Sequence, residues 1–221
     1  MATLQKLYET RFQQTGVEKR KRVWEVLCRS FFQPLIGPTQ DILDVACGYG
    51  EFINQIEARN KAAIDMNPDA ARYLNPGIAL RQVPADDMRG IGEQSFDIVF
   101  TSNFLEHLPN KSVLDAVFGE VRRVLRPGGR FIILGPNIRY AYKQYWDYYD
   151  HYLPLSHLSL AEGLGAAGFE VARVIPRFLP YTMNSATPTP ASLVRLYVAL
   201  PFAWRVFGKQ FLVVARKPAA A

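Results

Sequence analysis

The sequence predicts an α/β fold, a mostly parallel sheet with helices on both faces. Three observations carry this. Short apolar runs alternate along the chain with stretches of helical period. The runs "DILDVA", "SFDIVFTS" and "RFIILG" are apolar at most successive positions, which suits strands covered on both sides. The first run opens into "CGYGEF", whose small residues allow a tight turn from a strand into a helix.

The elements follow in order. "KRKRVWEVLCRSFFQ" (19–33) places Val23, Val26, Leu27 and Phe31 at helical spacing. "DILDVA" (41–46) reads as a buried strand, and a helix is expected from about 50 to 59. "AAID" (62–65) is a strand, after which Pro68 opens a helix at its first turn with Asn67 as N-cap. "IALRQV" (78–83) and "SFDIVFTS" (95–102) are two further strands. "NKSVLDAVFGEVRRVL" (110–125) is an amphipathic helix that Pro127-Gly128-Gly129 stops. "RFIILG" (130–135) is a fifth strand, 159–167 is helix, and "FEVARVI" (169–175) and "QFLVVARK" (210–217) are the last two strands. The chain has no internal repeat, and "SATPTPAS" and the "PAAA" tail are its low-complexity pieces.

At 221 residues the chain has the length of a single domain. Its 49% apolar and 21% charged composition excludes disorder and collagen. Two cysteines, Cys28 and Cys47, cannot staple such a domain and favour a reducing compartment. The opening "MATLQKLYETRFQQ" lacks the apolar core of a signal peptide, and no uninterrupted apolar run is long enough to span a bilayer. A cytoplasmic location is expected. The net charge of +6 is unevenly placed: the last acid is Glu170, and seven Lys and Arg lie beyond it. That excess attracts anions such as phosphates, nucleotides or acidic lipid surfaces, or simply solvates a face.

Ligands of parallel sheets sit beyond the C-terminal ends of the strands, so the residues there are the candidates. Asp44, Ala46, Cys47, Gly48 and Gly50 occupy the first turn, where backbone can approach a ligand and unpaired N–H groups face it. A dinucleotide fingerprint would place a third glycine where Ile53 stands. The carboxylate of Asp44 would repel a pyrophosphate but suits an ammonium or sulfonium. Asp65 ends the second strand and can accept both hydroxyls of a ribose. Met66 can line an adenine face, and after the third strand Asp86 or Asp87, beside Met88, can accept from an exocyclic amine.

"DILDVACGYGEF", "AAIDMNPDA", "SFDIVFTSNFLEHLP" and "VRRVLRPGGRFIILGPN" together resemble the class I S-adenosylmethionine-dependent methyltransferase family, of the methyltransferase type 11 kind, in order and spacing over 41–137. Ala46 departs from the pattern, since the family usually has a third glycine there. The resemblance implies a Rossmann-like doubly wound seven-stranded sheet, mostly parallel with an antiparallel last strand, and S-adenosyl-L-methionine as cofactor. It implies that Asp44, Ala46, Gly48 and Gly50 surround the methionine part, that Asp65 holds the ribose, and that Met66 and Asp86 flank the adenine. Asn103 would face the sulfonium. Tyr8 and Arg11, three apart on one helical face, would close over the cofactor carboxylate. The expected organisation is a single domain over 1–221, with a helical cap at 1–34, a cofactor-binding core at 35–135, and substrate-side insertions at 136–158 and 176–208.

Methyl transfer to a hydroxyl needs in-line alignment, exclusion of water and a base. "YKQYWDYYDHYLPLSHLSL" (142–160) offers Asp147, Asp150, His151 and His157 among five tyrosines and a tryptophan. Histidine is a general base suited to neutral pH, and aromatic walls suit sugar rings or planar substrates. His151 is the first candidate, His157 the second, and His107 in "LEHLP" the third. No Cys/His spacing makes a zinc site, and no metal is expected. "ASLVRLYVALPFAWRVF" (191–207) is apolar nearly all round, kinked at Pro201, and reads as a lid, a dimer face or a peripheral membrane contact. An acceptor both greasy and anionic fits, and the C-terminal stretch is similar to methyltransferases of polysaccharide biosynthesis. The leading expectation is therefore O-methylation of a small-molecule, glycan or lipid-linked acceptor. RNA methylation, suggested by the pI of 9.4 but lacking any RNA-binding appendage, a non-catalytic cofactor-binding protein and a nicotinamide-dependent oxidoreductase are the competing readings.

Overall fold

A computed structural model describes residues 17–181 and 190–219. Seven strands form one sheet in the order β3-β2-β1-β4-β5-β7-β6. They are β1 (Asp41–Val45), β2 (Asn60–Ile64), β3 (Ala79–Arg81), β4 (Phe96–Ser102), β5 (Leu125–Pro136), β6 (Glu170–Ile175) and β7 (Gln210–Arg216). β1 pairs in parallel with β2 and β4, and β4 with β5, while β7 runs antiparallel to both β5 and β6. The expected Rossmann-like order with an antiparallel last strand is thus present.

Side chains alternate between two cores, as the pleat requires. Leu43, Val45, Val99, Phe131, Ile133 and Val213 face one, covered by α2 (Lys111–Val124) and α4 (His157–Ala166). Ile42, Ile98, Phe100, Ile132, Leu134 and Leu212 face the other, covered by α1 (Val17–Leu27), α5 (Ala191–Ala199) and α6 (Pro201–Phe207). Between β5 and α4 lies the short α3 (Ile138–Tyr145). Burial on both faces explains why the strands read as continuous apolar runs.

Several elements differ from expectation. No helix forms over 50–59; residues 51–55 are turns. The carbonyls of Ile53 and Ile56 accept from Lys61 Nζ at 3.2 Å each, and the Glu57 N–H donates to Gln33 Oε1 at 2.8 Å. These side-chain partners stand in for a helical ladder. The expected helix over 19–33 runs as α-helix only to Leu27, then as a π turn (Cys28–Phe32) and a 3-10 turn (Gln33–Leu35). Pro68 opens a 3-10 helix (Pro68–Arg72) whose N-cap is Asn67, its side chain accepting from the Asp69 N–H at 3.0 Å. The segment 191–207 is two helices rather than one kinked helix: α5 ends before Leu200, and Pro201 takes the first position of α6, where its missing N–H costs nothing.

Candidate active site

The C-terminal ends of β1 and β4 frame a cleft whose floor is Asp44, Ala46, Cys47 and Gly48 and whose far wall is Phe100, Ser102 and Asn103. Arg20 and Trp24 of α1 close its third side, with Tyr49, Glu51 and Phe52 below them. The turn leaving β1 is held by its own backbone and by one acid. Cys47 N–H donates to Ile64 O at 3.2 Å, and Gly50 N–H to Cys47 O at 2.9 Å. Asp65 accepts from the Gly48 N–H at 2.7 Å through Oδ2 and from the Asn67 N–H at 2.8 Å through Oδ1.

Three positions of the cleft carry left-handed backbone: Ala46 (φ 58°), Gly48 (φ 54°) and Asn103 (φ 49°). Asparagine tolerates this region, whereas alanine in it is strained by about 1–2 kcal/mol. A Cβ built on Gly48 meets nothing within 4 Å, so the backbone there lies open to the cleft.

Acidic side chains line the floor. Asp44 is buried, accepts from the Ile53 backbone, and its carboxyl is held well above the usual range, first by burial and then by the charges of Asp65 and Glu51. Burial likewise pushes the Cys47 thiol up, so it is a packing group rather than a nucleophile. Arg20 Nε bonds Glu51 Oε1 at 3.1 Å and its guanidinium lies 5.6 Å from the Tyr49 ring centre, which fastens α1 to the turn. Phe52 stacks on Phe100 and Trp24 packs edge-on against both.

The other expected cofactor residues are dispersed. Met66 and Asp86 are exposed and do not line the cleft, Asp87 pairs with Arg89, and Met88 lies wholly in the core with its N–H on Glu120 Oε2 at 2.7 Å. Tyr8 and Arg11 lie outside the described residues.

Beyond Asn103 the chain makes a 3-10 turn, Leu105–His107, that meets the segment following α3. His107 Nδ1 lies 2.9 Å from Asp150 O and 3.3 Å from Asp150 Oδ2. His151 sits edge-on to His107 at 5.0 Å, stacked on Tyr148, with Tyr181 Oη 3.4 Å from its Nδ1. Glu106, buried beside them, has its carboxyl raised by burial. Glu106, His107 and His151 each offer a ligand atom within 4.8 Å of the others, a grouping that chain spacing could not show. His157 stands apart from this cluster. Its Nδ1 accepts from Asn137 Nδ2 at 2.9 Å, its ring stacks on Tyr140, and burial, with Arg139 nearby, lowers its pKa.

Residues 43–133 match the family described as "Methyltransferase domain", the span that contains this turn and the β4 exit. That span is similar to methyltransferase domains. Two observations in the cleft suit a cationic ligand such as S-adenosylmethionine. The buried Asp44 carboxyl, flanked by two further acids, calls for a cation, and the open space over Gly48 lets backbone approach a ligand. Among relatives, "Sterol 4-C-methyltransferase strm-1" of Caenorhabditis elegans is 30% identical over 132 residues, covering 55% of this chain and 38% of that protein. "Malonyl-[acyl-carrier protein] O-methyltransferase" of Hahella chejuensis is 34% identical over 105 residues, covering 43% and 36%. The chain thus spans well under half the length of either relative. A solved S-adenosylmethionine-dependent methyltransferase of Archaeoglobus fulgidus superposes with a TM-score of 0.68 at 19% identity, over 96% of this chain and 98% of that one, which shows the shared fold.

Arg20, Trp24 and Glu51 escaped the sequence reading. Arg20 and Trp24 lie on one face of a helix whose apolar spacing looked purely structural, and Glu51 followed a glycine turn that drew attention to itself. Glu106 was visible only as a neighbour of His107.

Proposed function

We propose that this chain transfers a methyl group to a hydroxyl of a small-molecule, glycan or lipid-linked acceptor, with His107 taking the hydroxyl proton. The observation that supports the reading is the His107–Asp150 pair four residues past Asn103. When bound, S-adenosylmethionine supplies a methyl group already activated on a positively charged sulfur.

The residues divide the remaining work. The acids of the floor attract the cationic end of the cofactor, and Asp65, with lone pairs to spare after its two backbone bonds, takes ribose hydroxyls. Asp150 holds the Nδ1–H of His107, so Nε2 is the basic nitrogen, as in other histidine–carboxylate pairs. His151 is enclosed by Tyr145, Tyr148 and Tyr181 and forms the wall against which an acceptor would lie. This exchanges the order of the two histidines expected from the sequence, because His107 lies 3.3 Å from the Asp150 carboxylate and keeps partial access to water. The two relatives' names span transfer to carbon and to oxygen, so the acceptor atom is part of the proposal.

Transfer of labelled methyl from S-adenosylmethionine into cell extracts, separated into lipid-linked glycan and small-molecule fractions, tests it. His107→Ala should lower incorporation by about a hundredfold or more. Asp150→Asn should lower it by about tenfold, with S-adenosylhomocysteine affinity unchanged in calorimetry. Label found on carbon, or full activity of His107→Ala, would overturn the reading.

A further inference from the structure

α5 and α6 carry apolar side chains on two sides at once. Val194 and Val198, four residues apart, are buried in the core with Trp204. On the opposite side of α5, Leu193, Leu196 and Leu200 are exposed at spacings of three and four, which is a second helical stripe. α6 continues it with Phe202, 76% exposed, and with Val206 and Phe207, 62% exposed for the latter. Arg195 and Arg205 are exposed among these side chains, and no acidic residue follows Glu170 in the chain.

We propose that this face docks on an anionic lipid bilayer surface. Its leucines and phenylalanines enter the boundary between headgroups and acyl chains, and Arg195 and Arg205 meet the phosphates. The charge pattern selects this occupant. A two-fold contact between copies of this face would set arginine against arginine with no acid within the segment to pair them. A bilayer with anionic headgroups supplies both the apolar layer and the counter-charge. Among the described residues no helix is long and apolar enough to cross a membrane, so the segment lies on the surface rather than through it.

The face is preformed. Arg177 donates to Gly208 O at 2.8 Å and Val206 O at 2.7 Å, capping α6. Trp204 Nε1 donates to Tyr197 O at 2.8 Å, and Tyr197 Oη to Phe178 O at 2.6 Å, which ties both helices to the core. α6 leads directly into β7, whose Gln210 lies opposite Pro136 at the C-terminal end of β5, and the Asn137 N–H donates to Lys209 O at 2.9 Å. The apolar face therefore borders the same sheet edge as Asn103 and the cleft. The inference stands on exposure and charge and does not depend on which acceptor is methylated.

Sedimentation of the full chain with phosphatidylglycerol-containing vesicles and with pure phosphatidylcholine vesicles tests it. Binding should favour the anionic vesicles by about tenfold or more and weaken with salt. Phe202→Ser with Phe207→Ser, and separately Arg195→Glu with Arg205→Glu, should each reduce it by about tenfold, with circular-dichroism melts showing that both variants fold. The two variants keep the test open if one of them fails to fold. Absence of vesicle binding by the wild-type chain, or binding that neither variant changes, would overturn the proposal. So would light scattering showing a dimer that the phenylalanine variant abolishes in the absence of vesicle binding.

Discussion

Gly48 donates its backbone N–H to Asp65 Oδ2 at 2.7 Å, so the turn after β1 is held by the residue that ends β2. One carboxylate therefore shapes the floor of the cleft and, in the proposed function, also takes ribose hydroxyls. Asp65→Ala removes both functions, and S-adenosylhomocysteine affinity should fall by about a hundredfold in calorimetry, with a stability loss of about 1–3 kcal/mol for the unpaired N–H groups. Asp65→Asn keeps one acceptor oxygen for Gly48 and should lose less of both. Wild-type affinity in Asp65→Ala would remove Asp65 from the site.

Ala46 and Gly48 share left-handed backbone, and they predict opposite outcomes. Ala46→Gly relieves a strain of about 1–2 kcal/mol but loosens the unfolded chain by about 0.4–1 kcal/mol, leaving a net gain of about 0–1.6 kcal/mol. Gly48→Ala introduces that strain without a clash, since a Cβ there meets nothing within 4 Å. Its methyl points into the space kept for the cofactor, so binding should suffer more than stability. Urea unfolding and calorimetry on both variants check the pair.

Asp44 sets a trade between stability and binding. Its folded pKa lies above its unfolded value, because burial disfavours the charged form. The contribution to stability is thus complete below the unfolded carboxyl range and is lost as pH rises through the folded value. Asp44→Asn should flatten that loss, raising the urea midpoint at neutral pH, while weakening cofactor binding by about tenfold or more. A variant that is less stable at neutral pH and binds normally would contradict the assignment.

Asp41 behaves with the opposite sign at the N-terminal end of β1. Hydrogen bonds from Arg59 lower its pKa, with Asn60 and Arg126 adding to the effect against burial. Arg126 also bridges to Asp97 at 3.0 Å. Stability from Asp41 is present above the unfolded carboxyl value near pH 4 and is lost as pH falls through the lowered folded value. Urea midpoints measured downward from pH 6 should drop steeply in the wild-type chain and less steeply in Asp41→Asn.

Glu106, His107 and His151 could in principle chelate a cation, and chelation separates that role from proton transfer. The proposed proton transfer to His107 requires methyl incorporation to survive dialysis against EDTA. Loss of activity restored by one divalent cation would assign the cluster to a metal instead.

Much of the turn that floors the cleft was legible in the sequence because it is local. Asp44, Cys47, Gly48 and Gly50 follow one another in a turn, and strand-end residues such as Asp65 and Asn103 are located once the strands are known. The helix expected over 50–59 failed for a non-local reason: Lys61 and Gln33 supply side-chain partners to its carbonyls and N–H groups, and neither partner is visible in the periodicity of the segment itself. His157 looked equivalent to His151 in a run of aromatics, yet one is locked to Asn137 and the other meets His107.

By itself the sequence determined the order of the strands, the antiparallel last strand through its family resemblance, and the glycine turn with its acids, since hydrophobic period and backbone freedom are written residue by residue. Only the tertiary structure decided that α1 delivers Arg20 and Trp24 to the cleft, that Asp150 lies beside His107, and that the outer stripe of α5 and α6 is exposed. Those relations depend on which distant segments the packed sheet brings within a few ångströms, and burial and partner geometry exist only after that packing is complete.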